Sequence, residues 1–237
     1  MSGHFLLMGA GEFLPWSNEA ELYTLSAARE GPVAVLATAS APEGERVFER
    51  WGEMALTHYQ SLGVPARLIE LKTRQDASRV DLIAGIKEAS MIFFSGGNPV
   101  YLGRTLDGTP FLDSIARAVA DGAVFAGCSA GAMVAGARAV RPVGPAFRHV
   151  GLSLIPHVRF GVHWNRMPGL LPGLREFIVS GGGPADRFVG IDENTAIWAT
   201  APGGVFLGSV GSRCAVQTGG PGFVLETTSA CLDPTRP

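Results

Sequence analysis

A serine framed by glycines at the end of an apolar run carries the strongest chemical signal in the sequence. Val124-Phe125-Ala126-Gly127-Cys128-Ser129-Ala130-Gly131-Ala132-Met133 fits the pattern G-x-S-x-G, in which a strand turns sharply into a helix and lifts the serine hydroxyl above the edge of a sheet. Glycines two before and two after Ser129 relieve the crowding of that turn. The backbone N–H of Ala130, at the helix N-terminus, then faces the oxyanion that develops when Ser129 attacks a carbonyl. Cys128 is the rival nucleophile, but strand alternation turns it away from the site. The bland alternative is a Gly/Ala-rich junction that only packs closely; strand, spacing, nucleophile and helix together favour chemistry.

A second glycine pair ends the preceding apolar run, Ile92-Phe93-Phe94-Ser95-Gly96-Gly97-Asn98-Pro99. Such a loop lies beside the elbow at the carboxyl edge, where open α/β sheets bind ligands. Gly97 is placed to give a second oxyanion N–H, and Asn98 to hold substrate. Asp192 and Glu193 follow another apolar run, Phe188–Ile191; adjacent residues point to opposite faces, so only one can serve as an acid at the site. Of the five histidines, His4 and His58 fall on an early strand and helix, and His149 lies upstream. His157 and His163 compete across the strand-like stretch from Pro156 to His163, whose far end would reach the sheet edge. Met8-Gly9-Ala10-Gly11-Glu12-Phe13-Leu14 begins like a dinucleotide fingerprint, but Leu14 stands where the third glycine belongs and no acid ends the second strand. A tight turn is the better reading.

These residues need a scaffold, and the hydrophobic pattern supplies one. Short apolar runs at Phe5–Met8, Val33–Thr38, Ala66–Leu71, Met91–Ser95 and Ala123–Ala126 alternate with amphipathic segments near Glu19–Arg29, Glu43–Ser61, Ser78–Ala89 and Pro110–Asp121. That is the pattern of βαβ units, a mostly parallel sheet with helices on both faces. After about Val179 come closely spaced strands, Phe188–Ile191, Thr195–Ala199, Val205–Leu207, Cys214–Thr218 and Phe223–Glu226, read as an antiparallel extension. The stretch from Ala139 to Gly151 has no period and reads as a loop near the site. No repeat or linker divides the chain, so one α/β domain over residues 1–237 is expected.

Composition narrows the function classes. The chain has 237 residues, 46% hydrophobic and 17% charged, with 32 Gly and 16 Pro: many tight turns, but not the composition of a disordered chain. A formal net charge of −2 argues against a nucleic-acid binder. Three cysteines, Cys128, Cys214 and Cys231, without metal-type spacing, read as reduced thiols of an intracellular protein. Phe5–Met8 is too short for a signal-peptide core, and no run approaches a membrane span. The expectation is a soluble cytoplasmic protein with no metal or organic cofactor; a homodimer is left open.

Four of these elements, in order, resemble the dipeptidase E and cyanophycinase family of serine peptidases, whose fold is similar to that of class I glutamine amidotransferases. They are Phe94-Ser95-Gly96-Gly97-Asn98, Ala126-Gly127-Cys128-Ser129-Ala130-Gly131-Ala132, the pair His163-Trp164, and Gly190-Ile191-Asp192-Glu193-Asn194-Thr195-Ala196. The resemblance implies a three-layer, flavodoxin-like sheet. It also implies Ser129 as nucleophile, His163 as general base, Glu193 as the acid that orients the imidazole, and the N–H groups of Gly97 and Ala130 as oxyanion hole. Around the histidine the sequence departs from the family: Gly161-Val162 stand where cyanophycinase has Asp-Gln, and Asn165 stands where amidotransferases have their glutamate.

From Gly122 to Arg175 there is no Asp or Glu, while Arg138, Arg141, Arg148, Arg159, Arg166 and Arg175 add six positive charges; with the whole chain at −2, the remainder carries −8. Arginine offers a planar fork suited to carboxylates. The expected function is hydrolysis of dipeptides or short peptides, with a preference for an acidic, aspartyl group read by Arg166. Two alternatives stand beside it: a ligand-binding member of the fold without catalysis, and an esterase or amidase using the same residues.

Overall fold

Strand residues alternate between two apolar layers, and that alternation builds the molecule. The computed structural model describes residues 3–138, 150–166, 178–179, 181–182 and 186–199, together with the backbone of 200–201, 205–210, 216–218 and 224–226. The parallel strands are β1 (Gly3–Met8), β2 (Val33–Leu36), β3 (Ala66–Leu68), β4 (Met91–Phe94) and β5 (Val124–Cys128). They are followed by β6 (Val158–Gly161), β7 (Arg187–Gly190), β8 (Ala196–Ala201) and β9 (Val205–Val210), then a hairpin-like pair, β10 (Val216–Thr218) and β11 (Val224–Glu226). The main sheet has the order β3-β2-β4-β5-β1-β8-β9. Its first five strands are parallel, and β8 and β9 add antiparallel at the β1 side.

Helices α1 (Asn18–Ser26) and α2 (Glu45–Ser61) cover one face; α3 (Val80–Lys87), α4 (Pro99–Leu106), α5 (Pro110–Ala120) and α6 (Ala130–Ala135) cover the other. The division follows from connection handedness. The chain steps from β1 to β2 to β3 in one direction and returns through β4 to β5 in the other, and right-handed crossovers then place the two groups of helices on opposite faces. Within each strand the side chains sort by period two. Val33, Val35, Met91, Phe93, Val124 and Ala126 pack toward Ala55 and Tyr59 of α2. Ala34, Leu36, Ile92, Phe94 and Phe125 pack toward Ile86, Leu102, Phe111 and Ile115.

The mostly parallel, three-layer α/β architecture expected from the sequence is the one observed. One member of the expected antiparallel extension departs from it. The Phe188–Ile191 run forms β7, which pairs in parallel with β6 as a separate two-stranded sheet, Gly161 beside Gly190. Its apolar residues do not show pairing direction, which depends on a partner almost thirty positions away. Helix α4, read as loop from sequence, is capped by Asn98, whose side-chain oxygen accepts the Tyr101 N–H at 3.0 Å, with Pro99 as the first helical residue. That is a favourable start signal. Helix α1 stops at Ser26, short of Arg29, whose guanidinium instead donates to Ala89 O and Lys87 O at the end of α3.

Candidate active site

All five parallel strands point their carboxyl ends to one edge, and the register decides what meets there. Met8 lies beside Cys128 on one side and beside Ala196 on the other, so the residues that follow β5 and those that precede β8 flank the loop after β1. Ser129 leaves β5 with φ 51° and ψ −108°, a backbone state that costs a side-chain-bearing residue roughly 1–3 kcal/mol. Its own N–H donates to Met8 O at 3.0 Å and its carbonyl accepts from Met133 in α6, which holds the turn at both ends. The two framing glycines meet inside it: a Cβ on Gly127 would stand 2.4 Å from the Gly131 carbonyl carbon, and one on Gly131 would stand 2.2 Å from Phe94 O. The spacing G-x-S-x-G is therefore a packing requirement of this elbow.

His163 and Glu193 come from the small sheet. Because β6 and β7 run parallel and in register at Gly161 and Gly190, the residues just beyond them emerge side by side. His163 Nε2 lies 3.3 Å from Ser129 Oγ, and His163 Nδ1 lies 2.9 Å from Glu193 Oε1. A carboxylate on Nδ1 holds that proton there and leaves Nε2 as the acceptor facing the serine. Glu193 is itself fixed from two further directions. Its N–H donates to Asn165 Oδ1 at 3.1 Å, and Arg166 Nε donates to its Oε2 at 3.1 Å. The hydrogen bond with His163, then that from Arg166, holds the Glu193 carboxyl below the usual carboxylate range. Asp192, its neighbour, turns inward and is buried.

Trp164 explains why an aromatic residue follows the histidine. It is fully buried, its ring 4.9 Å from that of Phe188, and its backbone N–H donates to Ile191 O at 3.1 Å. The indole fills the space that glycine leaves at position 190, so the ring anchors the loop on which His163, with φ 49°, faces the serine.

In the loop after β4, Gly97 adopts φ 136°, open only to glycine, with its α-carbon against the Ala39 carbonyl. Asn98 N–H donates to that carbonyl at 2.8 Å. Ala130, as first residue of α6, has an N–H with no acceptor inside the helix. Ala130 follows Ser129 directly, and Gly97 follows Gly96, on which a Cβ would stand 3.5 Å from Ser129 Cβ. Asn98 is exposed, and its side-chain oxygen is engaged as the cap of α4.

The remaining candidates fall elsewhere. His157 is at the far end of β6, exposed and 3.6 Å from Asp186; His58 pairs with buried Glu21 at 3.1 Å; His4 stacks on Trp198. Of the six arginines in the acid-free window, Arg138 pairs with Asp107, buried Arg159 donates to Ile178 O and Val179 O, and Arg166 holds Glu193. Arg141, Arg148, Arg175, His149, Cys214 and Cys231 lie outside the described residues, as does most of the Ala139–Gly151 loop.

One residue of the site escaped sequence reasoning. Glu12, on the loop after β1, is buried beneath the nucleophile; its Oε1 accepts the Gly96 N–H at 2.8 Å and its Oε2 accepts the Cys128 thiol at 2.9 Å. The available signal was an acid in a turn read only for what it lacked as a nucleotide fingerprint. Cys128 faces this acid inside the sheet, where burial, then the Glu12 carboxylate, pushes its thiol well above the usual range.

Known proteins are similar to this chain in sequence and in fold. Cyanophycinases from Synechococcus elongatus and Thermosynechococcus vestitus are each 27% identical to the chain over 209 residues, a match that takes in 83% of the chain and 62% of the relative. The chain thus spans less than two thirds of the length of these relatives. The crystal structure of a peptidase from an acI-B1 actinobacterium superposes with a TM-score of 0.74 at 27% identity, covering 89% of this chain and 97% of that one. A putative peptidase E from Listeria monocytogenes shares the fold, with a TM-score of 0.63 at 16% identity over 87% of this chain and 98% of that one. Among the described residues no helix is long and apolar enough to cross a membrane. Residues 48–202 match peptidase family S51, and the chain belongs to that family.

Proposed function

We propose that the chain is a serine peptidase that cleaves dipeptides or short peptides through an acyl-enzyme on Ser129. The observation that carries this reading is the continuous contact from Ser129 Oγ to His163 Nε2 and from His163 Nδ1 to Glu193. A serine hydroxyl is a weak nucleophile until a hydrogen-bonded imidazole takes its proton. Ser129 Oγ attacks the scissile carbonyl as its proton passes to Nε2. Glu193 stabilises the imidazolium, and the N–H groups of Gly97 and Ala130 receive the oxyanion. Collapse breaks the C–N bond, the imidazolium gives its proton to the leaving amine, and an ester on Ser129 remains. Water then attacks that ester with His163 again as base, releasing the acid and restoring the serine.

For the substrate, we infer a short peptide bearing an acidic group near the scissile bond. Support comes from the acid-free sequence window from Gly122 to Arg175, which carries six arginines, and from Arg166. Its Nε is engaged with Glu193, while its side chain is 74% exposed at the rim, so the outer edge of the guanidinium faces arriving substrate.

A fluorophosphonate probe followed by peptide mass spectrometry tests the nucleophile. Modification is expected at Ser129 and is expected to vanish in Ser129→Ala. In His163→Ala, both labelling and peptide turnover should drop by about 10⁴-fold or more. A folded wild-type protein that stays unlabelled at Ser129 would favour ligand binding without catalysis. In a dipeptide panel, Asp-Leu should be cleaved faster than Ala-Leu; equal rates would remove the acidic preference, and turnover of esters alone would make the enzyme an esterase.

A further inference from the structure

The acyl-transfer scheme makes no use of Glu12, yet this carboxylate is 8% exposed and sits within the active-site loops. Burying a carboxylate costs several kcal/mol of lost hydration unless hydrogen bonds replace the water. The replacements here are two groups from the two strands that form the site: the N–H of Gly96 after β4 and the thiol of Cys128 at the end of β5. A Cβ built on Gly96 would meet Glu12 Oε1 at 3.0 Å and Ser129 Cβ at 3.5 Å. The acid and the nucleophile therefore both adjoin a single backbone position.

The loop that carries Glu12 is held more firmly than an ordinary turn. Its backbone accepts the Asn194 N–H at Ala10 O, 3.1 Å, and the Trp16 indole N–H at Gly11 O, 2.6 Å. Phe13 takes φ 62° and sends its ring into the core, 5.0 Å from Phe93. Glu12 and Phe13 thus leave the chain in different directions, one toward the reacting edge and the other into the sheet. A strained backbone fixed by packing on one side and by hydrogen bonds on the other is the condition under which a side chain can position a neighbour.

We propose that Glu12 is a positioning residue for the oxyanion hole. Its carboxylate clamps the Gly96 N–H, which fixes the Ser95–Gly96 peptide plane; on the other side the Ala39 carbonyl holds the Asn98 N–H and with it the Gly97–Asn98 plane. The Gly96–Gly97 peptide, which carries the Gly97 N–H, lies between these two anchors, and in this proposal they hold that N–H for the acyl oxygen on Ser129. A hydrogen bond to a charged acceptor is roughly twice as strong as a neutral one, which suits a loop that must keep its orientation while charge develops beside it. Asn194 follows Glu193, so the same loop also registers the acid of the site against the oxyanion donors.

This proposal rests on the acyl-transfer reading of Ser129, and the experiment separates the two. The inactivation constants of a fluorophosphonate, KI for its non-covalent binding and kinact for phosphonylation, are measured for wild type, Glu12→Gln, Glu12→Asp and Glu12→Ala, with circular dichroism to confirm folding. An unlabelled, folded wild type overturns the acyl-transfer reading itself. With wild type reactive, kinact should fall about 10²-fold in Glu12→Ala, the effect of losing one oxyanion donor, while KI changes less than about threefold. Glu12→Gln keeps an oxygen that accepts from Gly96 and should stay within about tenfold of wild type. Glu12→Asp, one methylene too short to reach Gly96, should resemble the alanine variant. A wild-type kinact in Glu12→Ala or Glu12→Asp, or an equal loss in Glu12→Gln and Glu12→Asp, overturns the proposal. Should Glu12→Ala fail to fold, the contrast between Gln and Asp decides.

Discussion

Cys128 and Ser129 are neighbours in sequence and have opposite surroundings, because the strand ends between them. Cys128 still obeys the alternation of β5 and points into the layer beneath α1 and α2, where its thiol donates a hydrogen bond to Glu12; Ser129 is already in the elbow and partly open to solvent. Burial favours the neutral thiol, as does the adjacent carboxylate, so Cys128 is a poor nucleophile in the native protein. The consequence for stability has a definite sign. Unfolded cysteine loses its proton near pH 8.5, whereas the folded thiol keeps it to higher pH, so above about pH 8.5 the unfolded state binds fewer protons and folding weakens. The difference amounts to about 1.4 kcal/mol per pH unit for one proton. Cys128→Ser keeps a donor for Glu12 without titrating in this range. Its melting temperature should fall less than that of wild type between pH 8.5 and 10.5, with Ser129 labelling retained. Parallel alkaline slopes, or labelling lost on the substitution, would contradict this account. At this scale much was legible: Ser129, Ala130, Gly127 and Gly131 follow from steric demands written within a few residues. Glu12 was not, because its partners are 84 and 116 positions away, and an acid in a turn has no local feature that marks it as buried.

At the scale of elements, the proposed chemistry depends on a small sheet whose pairing was not legible. Parallel and antiparallel strands of similar length carry the same apolar pattern, so β7 read as part of the antiparallel extension. It is the parallel alignment with β6 that brings the ends of both strands, and with them His163 and Glu193, to one place. Trp164 locks that alignment. A Cβ at position 190 would stand 2.4 Å from both Cγ and Cδ1 of the indole, and neither the strand nor the fully buried ring has space to yield. Gly190→Ala should therefore cost roughly 1–3 kcal/mol of stability, the usual range for overpacking a core. Displacing the following loop by about 1 Å should lower kcat near 10²-fold, with a smaller change in KM. Thermal unfolding and steady-state kinetics measure the two together. Normal turnover in a destabilised Gly190→Ala protein would show that Trp164 supports the fold without setting the position of His163.

The whole molecule divides the proposed machinery between two structures of different robustness. Ser129, Gly97 and Glu12 follow β5, β4 and β1, central parallel strands with a neighbour on each side and helices over both faces. His163 and Glu193 follow strands that, among the described residues, have only each other as ladder partners. That the nucleophile would stand on a parallel sheet was readable from the alternation of apolar runs; that its partners would stand outside it was not, since sheet membership is decided by contacts across the fold. Opening free energies within one protein range from near zero to the global value and follow the number of buried and paired neighbours. The backbone amides of Phe93, Phe125 and Leu7 should accordingly exchange with deuterium only through global unfolding, whereas those of Phe160 and Val189 should exchange through a smaller, earlier opening. In rising urea, peptide turnover should then disappear at a lower concentration than the far-ultraviolet signal of the main sheet, because losing the β6–β7 alignment removes the base while leaving the elbow intact. Fluorophosphonate labelling should fall along the same curve as turnover, since the probe also needs His163. Coincident midpoints for turnover and sheet unfolding, together with equal exchange free energies in β5 and β6, would show that the two sheets open as one cooperative unit.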